Sequence, residues 1–227
     1  MNDFIQTFGV YLHTIAVYAL PVLFAITLHE AAHAYAAKFF GDTTAYSQGR
    51  MSMDPFKHID PFGTILIPVI LYVATSGAFL FGYAKPVPVN FGQLRRPKRD
   101  MAWVALAGPG ANFLMALIWL LLAIALQVMN VQEPFFHLMA QAGISTNLVI
   151  FAFNLFPIPP LDGGRIMISV LPHKYAYKLA RIEPYGFFIV MALVMLRIIN
   201  DWWMRPLMLV TGKVLQLIIW PLLALLQ

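Results

Sequence analysis

Five consecutive residues, His29-Glu30-Ala31-Ala32-His33, carry the most specific chemistry in this 227-residue chain. Two histidines four apart stack on one face of a helix and can hold one metal ion together. Glu30, directly after the first histidine, is placed to act as general base on a metal-bound water. Neutral imidazole suits zinc, which lowers the pKa of its water to about 7. Three fixed residues match by chance in roughly a few per cent of chains this long, so the motif needs context. Leu28 and alanines flank it inside a long apolar run, and ionisable residues within a membrane span are costly and functional by default. The metal reading follows from that setting.

A hydrolytic zinc site usually has three protein ligands and one open position. The chain has no cysteine, so the third ligand must be another His, Asp or Glu. Asn154-Leu-Phe-Pro157-Ile-Pro159-Pro160-Leu-Asp162-Gly163-Gly164-Arg165 supplies an acid within a helix-breaking run. Prolines and glycines there produce non-helical backbone, which is expensive in lipid. Taken alone, the run reads equally as a kinked helix or a surface loop. Beside an incomplete histidine pair, Asp162 becomes the expected partner.

The elements that must position these residues are hydrophobic. Of the chain, 60% is hydrophobic and 11% charged, with a mean hydropathy of +0.74. A soluble domain has about 25% charged residues, so the composition predicts an all-α polytopic membrane protein. Six apolar segments are long enough to consider: Val10 to Phe40, Gly63 to Ala84, Met101 to Val128, one from near Ile144, Pro184 to Ile199, and Pro206 to Leu226. Together they predict a single membrane-embedded domain over 1–227, with a three-helix catalytic core over about 10–171 and accessory helices over about 184–226. No removable signal peptide is recognisable at the start. Most of the basic residues behind the net charge of +5 lie in three stretches between apolar segments: Lys38, Arg50 and Lys57; Lys85 to Arg99; and Lys174, Lys178 and Arg181. The positive-inside rule makes these cytoplasmic and the N-terminus external, and it accounts for the charge without a nucleic-acid partner. Asp201-Trp202-Trp203 reads as an anchor at the outer interface. Basic flanks on both sides of Gly63–Ala84 favour a re-entrant or surface-lying hairpin there, with an ordinary span as the alternative.

The three motifs H-E-A-A-H, Gly108-Pro-Gly-Ala-Asn112 and N-L-F-P-I-P-P-L-D-G-G-R occur in the order found in the site-2 protease family of intramembrane metalloproteases, which the chain resembles over roughly Leu20 to Ser169. The resemblance implies one zinc held by His29, His33 and Asp162, with Glu30 as catalytic base. It implies Asn154 in holding substrate or the oxyanion, and Asn112 on the substrate side. It also implies an inner-membrane enzyme, active toward the cytoplasm, that cleaves a membrane protein in or near its transmembrane helix. No PDZ or CBS pattern is recognisable, as in a small prokaryotic branch of the family. Two alternatives are a metal-ion transporter, using His and Asp as a transient site, and a non-catalytic zinc-containing scaffold, whose site should be closed by four ligands. His58 reads as an interfacial polar residue or a visitor to the site, and Arg165 as an orienter of Asp162 or a boundary marker. Gly108 and Gly110 read as close-packing positions. Gln48–Asp54 or Lys85–Asn90 is expected to offer an edge on which an extended substrate could pair.

Overall fold

The computed structural model describes residues 2–67, 70 and 85–225. Helix α1 covers Asn2–Phe39 and is followed by the one-turn α2, Thr44–Ser47. After an irregular stretch come α3 (Pro97–Val128), α4 (Pro134–Asn154), α5 (Asp162–Val170), α6 (His173–Ala180), α7 (Glu183–Met195) and α8 (Arg205–Leu225). No strand occurs among the described residues, and the protein is an all-α polytopic membrane protein. Four helical stretches among them are long and apolar enough to cross a membrane: Phe8–Phe39, Pro97–Val128, Pro134–Asn154 and Asn200–Ala224.

The helix boundaries follow local chemistry. Helix α1 ends where Gly41, at φ +113°, takes a backbone conformation that side-chain-bearing residues rarely adopt. The Asp42 amide then reaches back to the Ala37 carbonyl and the Gly41 amide to that of Lys38, the paired bonds of a Schellman turn. Helix α3 starts with Pro97 at its first position, and the Asp100 carboxylate accepts from the Arg96 amide at 2.8 Å. Helix α4 begins at Pro134, ten residues before the expected start near Ile144. His137 and Gln141 dilute the hydropathy there without interrupting the helix.

Helices α1, α3 and α4 pack pairwise, and α5 lies against α3. Gly143 of α4 lets the Trp119 indole of α3 lie directly on its backbone, where a Cβ would overlap the ring. Helix α8 covers the pair through Leu215 and Met208, packed with Ala116 and Leu148. Helix α7, with 13 residues, is about 20 Å long and too short to cross the roughly 30 Å core, so the expected Pro184–Ile199 span is corrected to a short apolar helix. Trp203 is also corrected: its indole N–H donates to the Ala152 carbonyl at 2.8 Å, and its ring meets Phe156 edge-on. It therefore sits beside the C-terminal end of α4, not beside the opposite end near Pro134.

Most of the expected hairpin Gly63–Ala84 lies outside the described residues. Its flanks are described, and they meet: the Lys85 amide donates to the His58 carbonyl at 3.0 Å, and Arg50 Nη2 donates to the Lys85 carbonyl at 2.9 Å. We expect single cysteines replacing the exposed Gln48 and Gln93 to react with an impermeant thiol reagent from the same membrane face. Reaction from opposite faces would contradict the placement of these flanks.

Candidate metal centre

The site lies where α1, α3 and the start of α5 meet. His29 is ten residues, about 15 Å, before the end of α1. Its Nε2 is 3.1 Å from that of His33, and Asp162 Oδ2 is 3.2 Å from the first and 3.3 Å from the second. The three atoms form a nearly equilateral triangle. Ligands at 2.0–2.1 Å from a tetrahedral ion are separated by about 3.3 Å, so the triangle has the size that zinc requires.

The hydrogen-bond network also fixes what those atoms present. His33 Nδ1 is 2.7 Å from the Val104 carbonyl, which can only accept, so Nδ1 carries the proton. His29 Nδ1 is 2.6 Å from Asn112 Oδ1. The Asn112 amide cannot be flipped, because its Nδ2 already donates to the Ala25 carbonyl at 3.1 Å and to Asn147 Oδ1 at 2.9 Å. Asn147 is oriented in turn by donating from Nδ2 to the Gly143 carbonyl at 2.8 Å. Each ring therefore turns its Nε2 toward an Asp162 oxygen that is itself buried. Two imidazole nitrogens and one carboxylate oxygen converging on one point have the donor set and spacing of a divalent-metal site. The residues fit a bound divalent metal.

The neighbouring elements are shaped around this cluster. A Cβ on Gly108 would overlap His33 Nε2, which explains glycine where α3 crosses the imidazoles, whereas Gly110 has nothing within 4 Å. Asp162 opens α5, where the helix dipole favours a carboxylate. The loop before it, residues 155–161, has four amide N–H groups, because Pro157, Pro159 and Pro160 have none. All four are bonded: Leu155 to the Phe151 carbonyl, Phe156 to Phe153, Ile158 to Phe156 and Leu161 to Ile158. The prolines remove the donors that such a non-helical turn would leave bare at membrane depth. Gly163 and Gly164 are buried against this loop, and Gly186 of α7 lies on the Pro159 carbonyl, where no Cβ would fit.

Other expected residues fall as follows. Glu30 is half-buried, and its Oε2 accepts from the Val87 amide at 2.8 Å. Asn154, half-buried in the last turn of α4, donates from Nδ2 to the Ile150 carbonyl at 3.0 Å. Asn112 is corrected: it has no exposed surface, so it stands behind His29 as its support rather than facing substrate. His58 is buried and bonds through Nε2 to the Ser52 carbonyl at 2.8 Å, as part of the loop. Arg165 pairs with Glu183 at 2.8 Å and lies over the Phe91 ring; it joins α5 to α7. Sequence reasoning missed Asn147, although a second amide in an apolar span is a signal that a buried partner is needed.

A model of peptidase family M50 matches residues 126–197. The Bacillus subtilis protein named "Putative zinc metalloprotease YwhC" is 38% identical over 183 residues, covering 77% of this chain and 78% of that protein. The proteins named "Putative zinc metalloprotease Rip2" from Mycolicibacterium smegmatis and Mycobacterium tuberculosis are 29% and 30% identical over 184 residues, covering 79% of this chain and 67% of theirs. No solved structure matches the chain.

Purified protein should contain one metal ion per chain by elemental analysis, falling to a small fraction in Asp162→Ala. Asn112→Leu should retain the three ligands but bind metal about 10- to 100-fold more weakly, because it releases the His29 ring. Full occupancy in Asp162→Ala would remove it from the ligand set.

Proposed function

From membership of peptidase family M50, to which this chain belongs as a metalloprotease, we propose that it hydrolyses peptide bonds in or near the transmembrane segments of other membrane proteins. The observation that carries this reading is the triangle of His29, His33 and Asp162, two of them on a membrane-spanning helix, with a glutamate adjoining the first histidine. Family membership sets aside the transporter and scaffold alternatives.

His29, His33 and Asp162 would hold zinc and leave a fourth position open. Zinc bound there supplies Lewis acidity, acidifying water and polarising a peptide carbonyl. Glu30 takes the proton of the attacking water and returns it to the leaving amine. One carboxylate oxygen, Oε2, is held by the Val87 amide, so Oε1 is the oxygen left to carry that proton. A substrate helix hides its amides in bonds to the fourth residue back, so its scissile region must unwind. Segment Lys85–Asn90, adjacent to Glu30, is where the unwound strand would pair. Asn154 supplies an amide to the substrate backbone or the developing oxyanion. The buried His29 support makes no such contact. The basic stretches favour a site opening toward the cytoplasm.

Two measurements test this reading on a single-span substrate in proteoliposomes. Glu30→Gln should retain one zinc per chain yet lose cleavage, as a chelator should abolish it in the wild type; turnover near wild type in Glu30→Gln would mean another group is the base. Asn154→Leu should lower kcat by about 10²- to 10³-fold, the loss seen for one oxyanion donor, with zinc content unchanged. Loss of zinc instead would make Asn154 a structural residue.

A further inference from the structure

Asp42 is an acid buried to 1% exposure that takes no part in the ligand triangle. The Schellman turn at Gly41 ends α1 and points the chain back on itself. The Asp42 carboxylate then collects three donors: the Thr44 amide at 2.9 Å and hydroxyl at 2.5 Å on Oδ1, and the Asn90 amide at 2.7 Å on Oδ2. The bond to Asn90 anchors one end of the strap Lys85–Asn90. The other end is anchored by the Lys85 amide on the His58 carbonyl and by Arg50 on the Lys85 carbonyl. Pro86 and Pro88 stiffen the strap and lack amide hydrogens. Val87 between them donates to Glu30, while its side chain packs on Ala34 and Ala45. Val89 packs beside both α1 clusters.

We propose that Asp42 is a positioning residue for Glu30: its carboxylate locks the strap whose Val87 amide orients the Glu30 side chain. Asn90 is three residues from Val87, at most about 10 Å of chain, and two prolines leave little slack to absorb a shift. The anchor must be a carboxylate because all three partners are donors. An asparagine would turn its NH₂ toward either Asn90 or Thr44, setting donor against donor. A displacement near 1 Å at a reacting group lowers turnover about 100-fold.

This inference rests on Glu30 being the base, and the experiment separates the two. The full-length protein in proteoliposomes is assayed on a single-span substrate for kcat, KM and zinc content. The variants are Glu30→Gln, Asp42→Asn, Asn90→Pro, Val87→Pro and the Asp42→Asn/Val87→Pro double. Asp42→Asn should lower kcat about 10- to 100-fold while keeping one zinc per chain. The double variant should be no slower than the slower single, because both changes remove the same restraint on Glu30. If Asp42→Asn does not fold, Asn90→Pro, which removes the amide donor to Asp42 along with the side-chain cap on the Gly92 amide, should give the same loss of kcat with zinc retained. Wild-type kcat in Asp42→Asn, losses that multiply in the double variant, or losses that track zinc content would overturn the positioning role. Active Glu30→Gln would instead overturn the base assignment.

Discussion

Two histidines and an aspartate converging on one point inside a membrane protein are the constraint on which this structure is built. Two imidazole Nε2 atoms and one Asp162 oxygen lie 3.1–3.3 Å apart. A buried carboxylate oxygen left without a partner costs about 1–3 kcal/mol or more. Such an arrangement persists only where a cation completes it and the surroundings hold each ring in one orientation. The surroundings do so from several elements. The Val104 carbonyl and Asn112 Oδ1 of α3 accept from the Nδ1 of His33 and His29, Asn147 of α4 fixes Asn112, and α5 brings the carboxylate by its N-terminus.

Bringing α5 to that point requires a break in the chain at membrane depth. Lipid offers no partner for a bare amide, so the break must satisfy or delete its own donors. The loop from Leu155 to Leu161 deletes three through proline and bonds the other four internally. The glycines on either side let the backbone of α5 and of α7 lie against the loop without a side chain between them. A motif that looks at first like a list of helix breakers is thus a way to turn the chain with no uncovered N–H group.

What could be read from sequence is what local spacing controls. Histidines four apart fix their own geometry on a helix, and the Pro-Gly run announces a turn before Asp162. Gly41-Asp42 marks the end of α1 within two residues. What could not be read depends on which faces meet. Asn112 shares its motif with Gly108, but only the packing of α1 on α3 shows that its amide points at His29. Asn147 has meaning only once Asn112 is beside it. The start of α4 was obscured because polar His137 and Gln141 lower hydropathy while leaving helix propensity intact. The outer-interface reading of Trp203 failed because an interfacial aromatic and a tryptophan seated on a neighbouring helix look alike in sequence. The third donor to Asp42 comes from Asn90, 48 positions away, a partner that no local spacing announces.

The structure also separates holding the metal from performing the reaction. The ligands are fixed by α3, α4 and α5, whereas Glu30, on the same helix as two of them, is restrained by the strap before α3. Rotation about the Glu30 side chain does not disturb the neighbouring histidine, because residues adjacent on a helix point about 100° apart. The bonds that orient the histidine rings and the bond that orients Glu30 thus come from different segments, although Val87 of the strap also packs on Ala34 of the same helix. The strap adjoins the base and also follows directly on residues 63–84, whose two flanks it joins through Lys85 and His58. The Val87 amide thus ties the Glu30 carboxylate to the segment whose start closes those flanks.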